Sequence, residues 1–311
     1  MLRFIATDIA DCDIVMPPAL SVVIRMDEDV PADDMLVVFP YQATKELKRV
    51  TAFDGSRVVF IGIVDEEQHI TSSRGEYLRI SARSPAAYLL DNESEPVSYD
   101  HPGARFIYDR HVKGYGIRSA DDDDATLLGE LIVTKGMSQW GVIKSFCAAC
   151  YSSVPRVSSD GVLYMKGPAH GEEIRFTDCG TGYPYISCTE NRKRCEEISA
   201  VNVKANLTDS YSLSVSNDDA ISRGICRERY LNAALTRTPI SSADTMISSA
   251  GAKAYSVTLE VPVRLTDVLG CPASVHRRSG CDITGVYVGA LKYRMTSGGE
   301  STKIVLKRRN S

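Results

Sequence analysis

Hydrophobic and polar positions alternate most clearly between residues 57 and 83, where the pattern predicts β-strands. Residues 58–64 form a continuous apolar run, which is typical of a strand buried on both faces. Residues 77–83 alternate strictly, and this indicates a half-buried strand. The polar residues 65–76 between the two are interpreted as a connection. Asp54-Gly55 precedes the apolar run and predicts a hairpin turn, so an antiparallel meander is expected here.

The patterns before and after this meander predict further strands and two helices. Ser84 is expected to cap a short helix whose first residue is Pro85. Ser138 is expected to cap a second helix, whose apolar side chains fall on one face at helical spacing. Those apolar side chains are Trp140, Ile143, Phe146, Cys147 and Cys150. The other predicted strands lie at residues 20–25, 35–39, 49–53, 156–165 (a hairpin), 173–176, 198–205, 211–215 and 255–263. Residues 227–234 and 242–249 are expected to be helical or irregular.

The chain closes with a second predicted hairpin, over residues 281–295 and 301–307, which repeats the first one. Gly75-Glu76 corresponds to Gly299-Glu300 at a constant offset of 224 residues, and Arg83 corresponds to Lys307 at the same offset. Each match alone is weak, and chance similarity of two hairpins is the alternative. Together the matches predict two related β-domains with an α+β unit inserted between them.

The predicted fold class is therefore mainly β, and α+β overall. Residues 1–95 are expected to form a first tube-like β-barrel, and residues 191–311 a second one. Residues 96–190 are expected to hold a connecting segment and the small inserted α+β domain. Barrel closure would remove the exposed strand edges that such domains otherwise present.

Composition narrows the functional classes. The chain has 311 residues, 43% of them hydrophobic, and a formal net charge of −4, so it lacks the basic excess typical of nucleic-acid-binding proteins. No apolar stretch is long enough to span a bilayer, and no basic leader is found near the amino terminus, so a cytoplasmic site of synthesis is expected.

The candidate chemistry is sparse. Cys147 and Cys150 form a C-x-x-C pair, but no second pair at zinc spacing accompanies them, so core or surface thiols are favoured over a metal site. No cofactor motif or catalytic motif is found, and no catalytic residue is predicted. Two alternatives stay open: a cell-wall-degrading tail enzyme that uses an acid such as Glu172 or Glu173, and a metal- or thiol-dependent binding module.

Three segments resemble the baseplate hub proteins of contractile phage tails and phage-tail-like bacteriocins. They read VVFIGIVDE, EYLRISARSPAAYLLDNESEP and VYVGALKYRMTSGGESTKIVLK, and they occur here in the same order. The resemblance is to the late-control-D family and the Mu-like hub, which are related to the amino-terminal part of VgrG. Its motifs are structural and not catalytic.

This resemblance implies a structural role in a baseplate. It implies a homotrimer whose six barrels form a pseudo-six-fold ring that joins a hexameric tail tube to a three-fold central spike. The implied partners are the tube protein or tube initiator, the spike or tip protein, and the wedge or adaptor proteins; neither a membrane nor a specific nucleic acid sequence is among them. The residues expected to form the ring wall or assembly surface are Tyr77, Arg79, Arg83, Lys303 and Lys307.

Overall fold

The computed structural model describes residues 2–73, 75–121, 124–167, 171–204, 210–232 and 239–308. In chain order, the strands and helices are β1 (Arg3–Asp8), β2 (Asp13–Val15), β3 (Ser21–Asp27), β4 (Asp34–Pro40), β5 (Leu47–Asp54), β6 (Arg57–Ser72), β7 (Gly75–Arg83), α1 (Ala86–Asp91), β8 (Val97–Asp100), α2 (Ala104–His111), β9 (Arg118–Ser119), β10 (Glu130–Val133), α3 (Gln139–Tyr151), β11 (Arg156–Val157), β12 (Val162–Tyr164), β13 (Ile174–Thr177), β14 (Tyr183–Pro184), β15 (Ser187–Arg192), β16 (Ala200–Lys204), β17 (Leu213–Ser216), α4 (Asp218–Ser222), β18 (Glu228–Asn232), α5 (Pro239–Ala254), β19 (Tyr255–Val261), β20 (Pro272–His276), β21 (Ile283–Thr296) and β22 (Gly299–Arg308). The mainly β fold class predicted from the sequence is thus confirmed.

The chain divides into two compact units. The first comprises Met1–Gly171, Pro262–Gly270 and Ala290–Thr302, and the second comprises Glu172–Val261, Cys271–Gly289 and Lys303–Ser311. None of the helices in the described ranges is long and apolar enough to cross a bilayer.

The first unit is built on an antiparallel sheet in the order β2-β1-β5-β6-β7-β4-β3. Its strands alternate, and every second side chain is buried: Val22 and Ile24 on β3, Met35 and Val37 on β4, and Ile80 on β7 are almost fully inaccessible. Burying one face of each strand in this way supplies the main stabilisation of the sheet.

The helices α1, α2 and α3 of the first unit share an apolar core. Trp140, Ile143, Phe146 and Cys147 of α3 are buried in one cluster with side chains of α1, α2 and the hairpin β11–β12. Ser138 caps α3 by accepting a hydrogen bond from the Gly141 N–H, at 3.1 Å. The predicted amphipathic helix, its cap and the predicted hairpin are therefore confirmed.

The second unit is built on a sheet in the order β14-β13-β20-β21-β22-β19-β15. A separate three-stranded sheet, β17-β16-β18, lies between β15 and β19 in the chain. Val201 and Val203 of β16 pack with Ala243 and Ala250 of α5 in a small apolar cluster. This second α/β element interrupts the stretch in which the sequence predicted only a barrel with some irregular material.

Four local expectations differ from the structure. Residues 65–76 are not a loop, because β6 continues to Ser72 and pairs along its length with β7, with Arg74 outside the described residues. Their side chains are polar because both faces of this arm are exposed, and backbone pairing alone makes them strands. The helix after β7 begins at Ala86 and not at Pro85. The Ser84 hydroxyl accepts a hydrogen bond from the Asp33 N–H instead of capping that helix.

The remaining two differences concern strand assignment. Residues 228–232 of the region expected to be helical or irregular form β18, which pairs in parallel with β16, whereas residues 233 and 234 lie outside the described residues. The strand predicted at residues 173–176 exists as β13, but it pairs with β20 of the second unit. Neither partner is adjacent in sequence, so local patterns could not identify them.

Candidate assembly surface

The two hairpins that the sequence relates by an offset of 224 residues are alike in the structure. β6 ends at Ser72 and β21 at Thr296, while β7 begins at Gly75 and β22 at Gly299. Both glycines have left-handed backbone angles, with φ of 120° at Gly75 and 122° at Gly299, which glycine adopts without strain. The predicted repeat of the hairpin is therefore confirmed.

The likeness extends to burial and to strand order. The alternation of exposed and buried positions along the nine residues of β7 is the same as along the first nine of β22. Around each hairpin the strand order also corresponds: β5-β6-β7-β4-β3 in the first unit and β20-β21-β22-β19-β15 in the second. Chance similarity of two hairpins would not carry the neighbouring strands with it.

Three of the predicted ring-wall residues lie on the polar face of β7. Arg79 is exposed and Tyr77 is half-buried, opposite Gln68 and Ile70 of β6 respectively. Arg83, also half-buried, donates to Asp65 at 2.7 Å and to Asp91 at 2.7 Å. Arg83 therefore joins the end of β7 to α1 and to the irregular position in β6.

Electrostatics at Arg83 follow from these contacts. Its hydrogen bonds with Asp65 and then Asp91 raise the pKa of the Arg83 guanidinium above its already high ordinary value. The bond from Arg83 correspondingly lowers the pKa of Asp91. Arg83 and Asp91 are therefore both charged at neutral pH, and we expect Arg83 to hold the local fold together as well as to face outward.

The other two ring-wall candidates lie on β22. Lys303 is exposed and occupies the position that Arg79 has on β7. Lys307 is half-buried, and its aliphatic stem covers Gly289, where an added Cβ would lie 2.5 Å from the Lys307 Cδ. The five candidates thus fall on equivalent faces of two equivalent strands.

A charged row crosses the same face of the first sheet. Lys292 of β21 lies opposite Arg25 of β3, which lies opposite Asp34 of β4, which in turn lies opposite Arg83. Arg25 and Asp34 form an ion pair at 2.6 Å. Asp34 lies between the two arginines, and these opposite charges in neighbouring strands stabilise the pairing modestly, whereas Lys292 and Arg25 carry the same charge.

One buried ion pair was not anticipated from the sequence. Arg156 of β11 and Asp33 before β4 are bonded to each other, with side chains only 7% and 1% exposed. The residues are 123 positions apart, and neither stands in a motif, so no local signal could have found them.

The candidate chemical groups lie apart from this surface. Cys147 is buried in α3, and burial raises the pKa of its thiol to about 12, while Cys150 is half-buried. Within the described ranges, no three His, Cys, Asp or Glu side chains are placed to hold a metal ion. Glu172 and Glu173 are both exposed, just before β13.

Comparison with known proteins identifies solved structures of the same fold. The chain superposes on a tail protein from Neisseria meningitidis MC58 with a TM-score of 0.73 and 13% identity, covering 98% of this chain and 96% of that one. It superposes on the 43 kDa tail protein of prophage MuSo2 from Shewanella oneidensis with a TM-score of 0.75 and 13% identity, covering 99% and 98%.

A third structure comes from a secretion system. The E. coli c3393 protein is described as a component of the type VI secretion system with similarity to the T4 tail proteins gp27 and gp5; it matches with a TM-score of 0.54 and 8% identity, over 100% of this chain and 77% of that one. No protein-family model and no curated protein sequence matches the chain. At these identities the likeness establishes a shared fold.

Proposed function

We propose that the protein is a structural hub in the baseplate of a contractile phage tail or a phage-tail-like bacteriocin. The observation that carries the proposal is the repeated strand order around two equivalent hairpins in one chain. A chain with two similar β-units forms six of them in a trimer, so it can match a six-fold tube on one side and a three-fold spike on the other.

The shared fold supports the same assignment. Solved structures that match over nearly the whole chain are named as tail proteins. In the proposed assembly residues 1–95 and residues 191–311 form tube-like barrels, residues 96–190 are inserted between them, and the polar faces of β7 and β22 form part of the ring wall. Its partners are the tail tube or its initiator, the spike, and the wedge or adaptor proteins. Synthesis is cytoplasmic, and incorporation into the particle follows.

The proposed role is structural and has no catalytic step. The acids considered for an enzyme, Glu172 and Glu173, are exposed side chains outside the inserted α3 core. A peptidoglycan-release assay with the purified protein is expected to show no turnover above a boiled control.

The decisive measurement is the mass and symmetry of the assembled protein. We expect a particle of three times the 34.0 kDa chain mass in multi-angle light scattering, with a ring of pseudo-six-fold appearance in electron microscopy. The tube and spike proteins of the same particle should bind its opposite sides. A protein that stays monomeric at micromolar concentration, also when both partners are added, would refute the proposal.

A further inference from the structure

The outer edge of β6 is open where β6 extends beyond its neighbour β5. Residues 66–71 pair with β7 on one side, from Glu66 opposite Ser81 to Thr71 opposite Glu76. On the other side β5 pairs only as far as Ile63, and no strand of the described chain continues from there. A run of unpaired backbone groups along an exposed strand is a template for pairing with another chain.

In the equivalent strand of the second hairpin, the same edge is occupied. Residues 290–295 of β21, which correspond to residues 66–71, pair antiparallel with β3, from Ala290 opposite Asp27 to Met295 opposite Val22. The protein therefore already contains one example of what this edge binds.

The strand corresponding to β3 is β15, and its outer edge is open as well. In the two sheets β3 follows β7-β4, and β15 follows β22-β19. Within the described residues β15 pairs with β19 alone.

The strands β3 and β15 are each preceded by a residue with the same backbone hydrogen bond, and this shared bond aligns the two strands residue by residue. The Leu20 N–H donates to the Val38 carbonyl at 2.8 Å, and Val38 lies opposite Ser21. The Ile186 N–H likewise donates to the Glu260 carbonyl at 2.7 Å, and Glu260 lies opposite Ser187. Ser187 therefore corresponds to Ser21.

We propose that β6 of one copy pairs antiparallel with β15 of a second copy, as β21 pairs with β3 within the chain. This deepens the proposed function and rests on it, because it names the contact through which copies assemble. The two edges belong to different surfaces, so the contact is head-to-tail and closes into a ring when the rotation per copy permits.

The register of the internal pair predicts which residues meet. The internal pair Ala290–Asp27 corresponds to Glu66 opposite Lys193 of the second copy. The internal pair Leu291–Met26 corresponds to Glu67 opposite Arg192 of the second copy. Two exposed acids on one edge thus meet two exposed bases on the other. This charge complementarity is independent of the backbone hydrogen bonds that relate β15 to β3, and it favours a second copy over an unrelated partner.

A disulfide cross-link tests the register. Arg294 lies opposite Val23 in the internal pair, so Ile70 is expected to lie opposite Thr189 of the second copy. The Cβ atoms of directly opposite residues are about 4.5–5.5 Å apart, which is close enough for a disulfide. The double variant Ile70→Cys, Thr189→Cys should give covalent oligomers on oxidation. Both variants are made with the exposed Cys12, Cys195, Cys226 and Cys281 changed to serine. Ile70→Cys alone should then give none, because the native Cys188 points to the other face of β15.

Charge reversal tests the same contact without a covalent bond. Glu66→Lys and Lys193→Glu should each weaken self-association by roughly tenfold in analytical ultracentrifugation. The double variant should restore it, and Glu172→Lys, which reverses an exposed acid elsewhere, should leave it unchanged. Circular dichroism of each variant checks that it is folded.

The outcomes separate this inference from the function on which it rests. An assembled ring with no cross-link and no effect of charge reversal would overturn the β6–β15 contact and leave the hub proposal intact. A protein that remains monomeric with its partners would overturn both. Cross-linking together with rescue by the double charge variant would support the contact.

Discussion

At the scale of single residues, the buried pair of Arg156 and Asp33 joins the hairpin β11–β12 to the loop before β4. Arg156 also donates to the carbonyl oxygens of Asp27 at 2.8 Å and Val30 at 2.7 Å. The Oδ2 atom of Asp33 is buried and has no hydrogen-bond partner among the described residues. Burial raises the pKa of Asp33 to about 6, against the opposing effect of Arg156. Removing one partner of such a pair leaves an uncompensated buried charge.

This arrangement predicts a pH-dependent contribution of Asp33 to stability. The folded protein holds the Asp33 proton more tightly than the unfolded chain, whose pKa is near 3.8. The stabilisation is therefore fully present below about pH 4 and is lost as the pH rises through 6, by about 3 kcal/mol. Asparagine at position 33 cannot titrate, so the variant Asp33→Asn lacks this pH dependence. In urea unfolding, the free energy of unfolding of the wild type should fall relative to that of the variant by about that amount between pH 4 and 7.

The matched control is Asp244→Asn, at an exposed position on α5. Its free energy of unfolding should follow that of the wild type within about 0.5 kcal/mol at every pH. A wild-type and Asp33→Asn pair with parallel pH profiles would show that Asp33 titrates as an ordinary carboxyl.

At the scale of elements, the hairpin β6–β7 depends on close packing at Gly62 in the middle of β6. A Cβ added to Gly62 would lie 2.7 Å from the Ala82 Cβ and 2.9 Å from the Phe60 ring. Ala82 belongs to β7 and Phe60 is fully buried, so neither can move freely. The glycine thus allows β6 to lie flat against its neighbours.

We therefore expect Gly62→Ala to destabilise the first unit by about 1–3 kcal/mol, because the added methyl group overpacks the sheet. Urea denaturation followed by circular dichroism measures the loss. Gly114→Ala is the matched control, since nothing lies within 4 Å of a Cβ added there. Equal stabilities of the two variants would show that the sheet relaxes around the methyl group.

At the scale of the whole molecule, the chain holds apolar cores of very different size. Among the residues that the structure describes, the α3 region packs nineteen buried residues into one cluster, whereas the cluster between the sheet β17-β16-β18 and α5 has five. Small cores bury little apolar surface and open more readily. Local opening should therefore be most frequent in this small α/β element.

Hydrogen exchange measures this difference directly. We expect the amides of β16 to exchange at least tenfold faster than those of β4, although each is the central one of three adjacent strands. β4 presents Met35, Val37 and Phe39 to a larger core. Equal protection of β16 and β4 would indicate that the small element unfolds only together with the rest of its unit.

The sequence by itself determined the local elements and the repeat. Features that depend on neighbouring residues are present in the structure as predicted. They are the alternation in β7 and β22, the turn glycines Gly75 and Gly299, and the Ser138 cap. The polar arm of β6 escaped prediction because exposed strands carry no hydrophobic period.

Only the tertiary structure decided which distant segments meet. Each such contact joins residues far apart in the chain or on facing strands. Examples are the pairing of β21 with β3, the pairing of β13 with β20, the ion pair of Arg156 with Asp33, and the close packing at Gly62. The hydrogen bonds between strands join backbone groups that nearly all residues share, so they do not encode the identity of the partner strand. The alternation of side chains shows only that a segment is a strand and which of its faces is buried. Its partner depends on the packing of the whole unit, and this is why the open edges of β6 and β15 became visible only in three dimensions.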